Sequence, residues 1–97
     1  SHQQIIRQNG SAGDGKQYHH IVEQHPRNVE RFGPFEIHNN DNVIILPREV
    51  HESISGHYSS KPEGMEGKTV RDWLADKSYE AQYRYGIQQL REAGVLK

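Results

Sequence analysis

Two short apolar runs and one proline constrain the fold of this chain more than any other feature. The first run lies within HHIVEQ at 19–24, and the second is VIIL at 43–46. Both contain β-branched residues, which favour strands, so we expect the two to pair as an antiparallel hairpin. Pro47 follows the second strand directly and suits the first turn of a helix. The spacing therefore predicts a helix over about 48–55, ended by Gly56 in a left-handed cap.

Turn-forming residues dominate the remainder of the N-terminal half. Residues 1–17 include a glycine-rich stretch without the G-x-x-x-x-G-K-[ST] pattern of a phosphate-binding loop, so they predict a flexible N-terminal segment. Residues 25–40 predict a loop, with Phe32 and Phe35 packed under it. A chain of 97 residues has one domain by default, and we place that domain at 18–97.

The C-terminal third predicts a helical extension over 69–94. Thr69 can cap a helix over 70–76, and Ser78 can cap another over 79–93. The apolar residues that recur at helical spacing in the second of these helices are Tyr79, Tyr83, Ile87 and Leu90. We interpret this stripe as a buried face and not as a platform for stacking bases.

Composition limits how so small a core can be stabilised. Hydrophobic residues make up 32% of the chain, so little apolar surface can be buried. There is no cysteine to form a disulfide, whereas 7 histidines make a bound metal ion an obvious alternative. The net charge of -1 is low for a protein that binds nucleic acid through phosphate contacts alone. It suits an enzyme in which a metal ion supplies the positive charge. No apolar run approaches the roughly 20 residues of a membrane span, so we expect no membrane-spanning segment.

Histidines occur on the first strand and around the first helix. His19 and His20 are adjacent, while His51 and His57 lie six residues apart. Neutral imidazole is a good ligand for zinc and other first-row metals. His51 and His57 can reach one ion only if the helix ends at Gly56 and the chain folds back. The histidines without a partner pattern, which we interpret as surface residues, are His2, His25 and His38.

HHIVEQ followed by DNVIILPREVH resembles the HNH, or ββα-metal, nuclease motif. DNase-type colicins carry this motif, and so do the C-terminal nuclease tips of bacterial contact-dependent and Rhs-type toxins. The resemblance covers about residues 18–60. It implies an α+β fold with a ββα-metal core, in which a two-stranded antiparallel hairpin precedes a short metal-binding helix, with additional helices at the C-terminal end.

The resemblance also assigns roles by position. It implies that His19 is the first metal ligand and that His20 is the general base. It further implies that Asn42 braces the loop beside the second strand and that His51 binds the metal from the helix. The nine-residue step from Asn42 to His51 fits the colicin-type pattern. Those motifs place a last ligand four residues after the helix histidine, where this chain has a serine, so we take His57 as the third ligand.

The function implied by the resemblance is metal-dependent hydrolysis of phosphodiester bonds in DNA, with little sequence specificity, by an antibacterial toxin domain. The cofactor would be one divalent ion, which could be Zn, Mg, Mn or Ni. A histidine base is well suited to this reaction, since unperturbed imidazole has a pKa of about 6.5. The candidate phosphate contacts are Arg27, Arg48 and Lys61.

The toxin resemblance implies partners and a location as well. DNA would be the substrate, and a cognate immunity protein would inhibit the domain in its producer. The domain would be released or delivered from a bacterial producer as part of a larger secreted toxin, and it would act in the cytoplasm of the target cell. Two alternatives stay open: a ribonuclease toxin on the same scaffold, and a non-catalytic zinc-binding module that contacts nucleic acid or protein.

Overall fold

A computed structural model describes residues 11–97, so the first ten residues of the predicted flexible segment lie outside it. In chain order the elements are β1 (Lys16–His20), α1 (Pro26–Phe32), α2 (Pro34–Ile37), a 3-10 turn (Asn40–Asn42), β2 (Val43–Pro47), α3 (Arg48–Tyr58), α4 (Val70–Leu74) and α5 (Tyr79–Glu92). This is a small mixed α+β fold with a two-stranded antiparallel sheet and several helices, which confirms the coarse class. Within 11–97, no helix is long and apolar enough to cross a membrane. The chain forms two compact units, of which the first ends at Arg48 and the second is Glu49–Lys97.

The two strands pair antiparallel as predicted, with His20 at the end of β1 opposite Val43 at the start of β2. The predicted extent of the first strand, 19–24, is wrong because β1 ends at His20. Beyond His20, the backbone of Val22 forms hydrogen bonds with the side chain of Asn42. The side-chain oxygen of Asn42 accepts from the Val22 N–H, and its amide nitrogen donates to the Val22 carbonyl.

The predicted loop over 25–40 contains two short helices, so this part of the prediction is wrong. His25 caps α1, because its Nδ1 accepts a hydrogen bond from the backbone N–H of Arg27 at 3.1 Å. A proline opens each helix, at a position where the missing N–H would have no helical partner. Gly33 ends α1 with a φ of 85°, in the region that favours glycine. The prolines therefore begin helices here.

The core of the first unit is small and contains one amide side chain. Its fully buried side chains are those of Val22, Ile37, Leu46 and Asn42. Phe35 on α2 is 90% exposed, so the prediction that it packs under the loop is wrong. Phe32 is half-buried, and the guanidinium carbon of Arg31 lies 4.7 Å from the centre of its ring.

The second unit consists of the rest of α3 together with α4 and α5. α3 runs through Gly56 to Tyr58, so the predicted end of the helix at Gly56 is wrong. Thr69 and Ser78 cap α4 and α5 as predicted. Each hydroxyl oxygen accepts from the backbone N–H three residues further along, at 3.1 Å and 3.0 Å respectively. Gly94, with a φ of 79°, follows the end of α5.

The buried face of α5 differs in part from the predicted apolar stripe. Its buried residues are Gln82, Gly86 and Leu90, which are spaced four apart. Leu90 is fully buried as predicted, whereas the other members of the stripe are only half-buried. Gln82 can occupy a buried position because its amide nitrogen donates to the carbonyl of Lys77 at 3.3 Å. Of the predicted stripe, only Leu90 thus lies on the buried face, together with the polar Gln82 and the small Gly86.

Candidate functional site

Asn42 ties together two backbone segments of the first unit. Its side chain is 0% exposed and lies at the end of the 3-10 turn, just before β2. Oδ1 accepts from the Val22 N–H at 2.8 Å, and Nδ2 donates to the carbonyls of Val22 at 3.0 Å and Ile37 at 2.8 Å. The acceptor and the two donor hydrogens of the amide are therefore all used. Asn42 makes the hydrogen bonds across the loop that the resemblance implies, while its part in catalysis stays a prediction.

The histidine pair at the end of β1 is buried. His19 is 5% exposed and His20 is 7% exposed. The Nε2 atom of His20 lies 3.1 Å from Nδ1 of His38, and the two rings meet edge to face with their centroids 5.2 Å apart. The Nε2 atom of His19 is buried without a hydrogen bond, although the residue has an interaction elsewhere. The predicted base is thus in contact with a second imidazole.

No sequence pattern points to His38, because 18 residues separate it from His20 and no spacing rule joins a strand to the end of α2. The fold brings the two together. The backbone N–H of His38 donates to the Pro34 carbonyl at 2.9 Å and so closes α2. Asn42 holds the carbonyl of Ile37, the residue immediately before His38. His38 is half-buried against the predicted base, so its interpretation as a surface residue is wrong.

His51 lies in the second unit, half-buried on α3. Burial lowers the pKa of His51 below the usual imidazole value, and the nearby Glu52 carboxylate partly opposes this effect. A lowered pKa keeps the ring neutral near pH 7, which is the form that binds metal. The charge state of His51 therefore suits its predicted role as a ligand.

We expect His57 and His51 to reach one ion only if the helix ends at Gly56, and the helix does not end there. Because α3 is continuous through Gly56, the six-residue step places His57 about 120° around the helix axis from His51. Its Nε2 lies 2.6 Å from the hydroxyl oxygen of Tyr85, and the two rings are stacked with their centroids 6.0 Å apart. Burial, followed by the charge of Glu92, raises the pKa of Tyr85, so its hydroxyl keeps its proton. As a metal ligand, His57 stays a prediction, and the hydrogen bond to Tyr85 competes with coordination through Nε2.

The three predicted phosphate contacts are exposed side chains. Arg27 lies on α1, Arg48 begins α3, and Lys61 follows α3. The backbone N–H of Arg48 donates to the carbonyl of Gly15 at 2.9 Å, which fixes the first residue of α3 against the turn before β1. All three cations can be reached by solvent, as a phosphate contact requires, and their role stays a prediction.

The described residues include imidazoles of the type that binds metal ions, but these do not form a ready cluster. In the part of the chain from 11 to 97, no three His, Asp or Glu side chains come together in a group that could hold an ion. Imidazoles such as those of His19 and His51 are suitable donors for zinc, nickel and other first-row metals. Catalytic zinc sites use three protein ligands and leave one position open.

Comparison with protein-family models, with curated proteins and with solved structures found no match to this chain. Function must therefore be inferred from the residues and their geometry. The part of the predicted site with the clearest geometry is in the first unit, where Asn42 and the paired histidines His20 and His38 lie.

Proposed function

We propose that this chain is a metal-dependent endonuclease of the HNH, or ββα-metal, type that hydrolyses phosphodiester bonds in DNA with little sequence specificity. The observation that supports this best is the buried amide of Asn42, whose three hydrogen bonds join the segment after β1 to the segment before β2. Burying an amide in so small a core is unfavourable unless its polar atoms find partners. In the proposed nuclease, these hydrogen bonds would keep the histidines of the hairpin in a fixed arrangement.

His20 is the proposed general base. A water oxygen attacks phosphorus, the bond from phosphorus to the 3′ oxygen breaks, and the proton of the water passes to a ring nitrogen of His20. A positioned base typically contributes about 10²–10⁴ in rate. The exposed cations Arg27, Arg48 and Lys61 are the proposed contacts to the phosphates of the substrate. Each would position the strand without reading its sequence, which fits low specificity.

A divalent ion, when bound, would withdraw charge from the phosphoryl oxygen and stabilise the leaving 3′ oxygen. His19 and His51 are the proposed ligands, since both are imidazoles at the motif positions. The lowered pKa of His51 reduces competition from protons. His57 is the proposed third ligand, and coordination through its Nε2 requires the hydrogen bond to Tyr85 to break.

We further propose that the domain acts as an antibacterial toxin. This rests on the resemblance of its histidine motif to the nuclease tips of polymorphic toxins. A toxin of this kind endangers its producer, so a cognate immunity protein is the expected partner. Delivery as part of a larger secreted protein would bring the domain into the cytoplasm of the target cell, where DNA is accessible.

Cleavage assays on the purified chain test the proposal. Plasmid DNA and a structured RNA are incubated with the chain, with EDTA and with added divalent ions. We expect plasmid nicking that EDTA abolishes and that His20→Ala reduces at least a hundredfold. His25→Asn is the matched control, because it removes an imidazole but keeps a side chain able to cap α1.

The other outcomes of this assay point elsewhere. Cleavage of RNA without cleavage of DNA would replace the proposal with the ribonuclease alternative. Failure to cut either substrate, together with tight zinc binding in calorimetry, would favour a non-catalytic zinc-binding module. Nicking that persists unchanged in His20→Ala would remove His20 from the role of base.

A further inference from the structure

Phe35 on α2 is the most exposed large hydrophobic residue within 11–97. It is 90% exposed, compared with 45% for Ile45 and 36% for Leu96. Every other phenylalanine, tryptophan and tyrosine of the described range is buried or half-buried. An aromatic ring that stays in water gives up the favourable free energy of burial. The exposure of Phe35 therefore points to a contact with a partner.

The packing of α2 holds Phe35 in this exposed position. Ile37 is fully buried and lies two residues further along, about 200° around the helix axis from Phe35. Burial of Ile37 therefore directs Phe35 away from the core. The Asn42 amide donates to the Ile37 carbonyl at 2.8 Å, and the His38 N–H donates to the Pro34 carbonyl at 2.9 Å. Because this turn of helix is already ordered, a partner that binds the ring need not order the backbone.

Phe35 also lies one helical turn from the candidate site. Phe35 and His38 are three residues apart on this turn, so their Cβ atoms lie about 5–6 Å from each other. Nδ1 of His38 in turn lies 3.1 Å from Nε2 of His20, the proposed base. A nucleic-acid strand held for attack at His20 would therefore pass close to the ring of Phe35.

We propose that Phe35 is a substrate-binding residue whose ring stacks on an unpaired base of the DNA, next to the phosphate that is cleaved. This inference rests on the proposed nuclease function and names its preferred substrate as single-stranded or locally unpaired DNA. A base within an intact duplex is already stacked on both faces, so it offers no face to the ring. Every base has a π face, so stacking on an aromatic side chain tolerates any sequence. Such a contact agrees with the low sequence specificity of the proposed enzyme.

The charges around Phe35 favour a contact to a base over one that depends on phosphate alone. Arg27 and Arg31 are exposed and lie four residues apart, on one face of α1. Glu30 and Glu36 are exposed as well, so cations and carboxylates are equal in number on α1 and α2. With a net charge of -1 for the whole chain, phosphate contacts alone supply little affinity for a polyanion. Base stacking adds binding free energy that does not depend on this charge balance.

Three variants of Phe35 separate stacking from other roles of an apolar side chain. Phe35→Ala removes the ring, Phe35→Leu keeps an apolar side chain without a π face, and Phe35→Trp enlarges the aromatic face. All three should fold, because the position is 90% exposed. Ile45→Ala is the matched control, since Ile45 is an exposed apolar residue on β2 in the same unit.

Fluorescence anisotropy of the full chain with a labelled oligodeoxythymidine measures the contact. The strand is used alone and annealed to its complement, in EDTA so that it is not cut. We expect the wild type to bind the single strand more tightly than the duplex. Phe35→Ala should raise the Kd for the single strand roughly 5- to 150-fold, which corresponds to the loss of one base stacked on an aromatic ring. Phe35→Leu should lose most of this affinity, whereas Phe35→Trp and Ile45→Ala should keep it.

Several results would overturn the inference. These are equal affinity of the wild type and Phe35→Ala for the single strand, wild-type affinity in Phe35→Leu, and no measurable binding by the wild type. If Phe35→Ala changes only the sedimentation of the chain, the ring is a contact between two copies and the inference is also wrong.

Cleavage of single-stranded DNA, measured in parallel, separates this inference from the proposed function. Stacking binds substrate and transition state alike, so Phe35→Ala should raise KM and leave kcat unchanged. If the wild-type chain cuts neither DNA nor RNA, the proposed function fails, and binding in EDTA still decides whether Phe35 stacks on a base. If the wild type cuts DNA and Phe35→Ala binds and cuts equally well, only the role of Phe35 fails.

Discussion

Replacing Asn42 with alanine removes three hydrogen bonds from the interior of the first unit. The two bonds donated to the carbonyls of Val22 and Ile37 are worth about 1 kcal/mol each in net terms. The N–H of Val22 would be left buried without its acceptor, which costs about 1–3 kcal/mol. The expected loss in the free energy of unfolding is therefore about 3–5 kcal/mol. Natural domains are stable by only about 5–15 kcal/mol, so Asn42→Ala should be marginally folded.

Equilibrium unfolding of the full chain in urea measures this loss. Asn39→Ala is the matched control, since Asn39 lies in the same loop and its Oδ1 accepts one exposed hydrogen bond, from the Asp41 N–H at 2.8 Å. Loss of such a cap costs about 1 kcal/mol. We expect Asn42→Ala to lose at least about 2 kcal/mol more than the control. Equal losses would refute the view that the Asn42 amide holds the loop.

Asn42→Asp sharpens the test because it preserves the shape of the side chain. One carboxylate oxygen can still accept from the Val22 N–H, but the other faces the carbonyls of Val22 and Ile37 where Nδ2 stood. Burial beside two carbonyls should raise the pKa of the new carboxyl group in the folded chain. Relative to the wild type, this variant should therefore gain stability as the pH falls, since a protonated carboxyl can donate again. A stability difference that does not change between pH 7 and pH 5 would contradict this account.

Three further predictions concern the second unit and the metal. Tyr85→Phe keeps the ring beside His57 but removes the hydroxyl, so it should lower the free energy of unfolding by about 1 kcal/mol in urea. If His57 binds the ion through Nε2, the same variant should tighten metal binding in calorimetry, and unchanged affinity would count against that role. Because burial lowers the pKa of His51, the unfolded chain binds a proton below about pH 6.5 that the folded chain does not. Wild-type stability in EDTA should fall as the pH drops through this range, and His51→Gln should flatten the fall; parallel profiles would show the reasoning to be wrong. In thermal melts, added metal should raise the Tm of the wild type and of His20→Ala but hardly that of His51→Ala, and an equal rise in His51→Ala would remove it from the ligands.

Features that depend on neighbouring residues could be predicted from the sequence. The caps at Thr69 and Ser78 require only a hydroxyl at the right place and a helix-forming run after it. The i,i+4 ion pair between Glu80 and Arg84, a solvated interaction on α5, has the same local origin. The antiparallel pairing of the two strands is also predicted from the two apolar runs, although the paired residues are distant in the chain and β1 ends at His20.

Boundaries that depend on distant contacts could not be predicted in this way. Glycine favours a left-handed cap, which predicts an end of α3 at Gly56, but the helix continues to Tyr58. Ile54 and Tyr58 are both buried and lie four residues apart, so they share one face only if the helix includes Gly56. Burying the Tyr58 ring offsets the roughly 1 kcal/mol that glycine costs within a helix. A local glycine rule cannot include that packing energy.

The candidate site could also be predicted only in part, as Asn42 illustrates. Its place before β2 was readable in the sequence, but its partners Val22 and Ile37 were not. Those partners lie next to the segments that carry His20 and His38, so one amide both stabilises the first unit and holds the backbone near both imidazoles. Turnover by Asn42→Ala should therefore fall by more than its unfolded fraction explains, even at a temperature and urea concentration where the variant is folded. The additional loss would show that Asn42 helps to orient His20, the proposed base. If turnover falls only in proportion to the folded fraction, Asn42 has a structural role only.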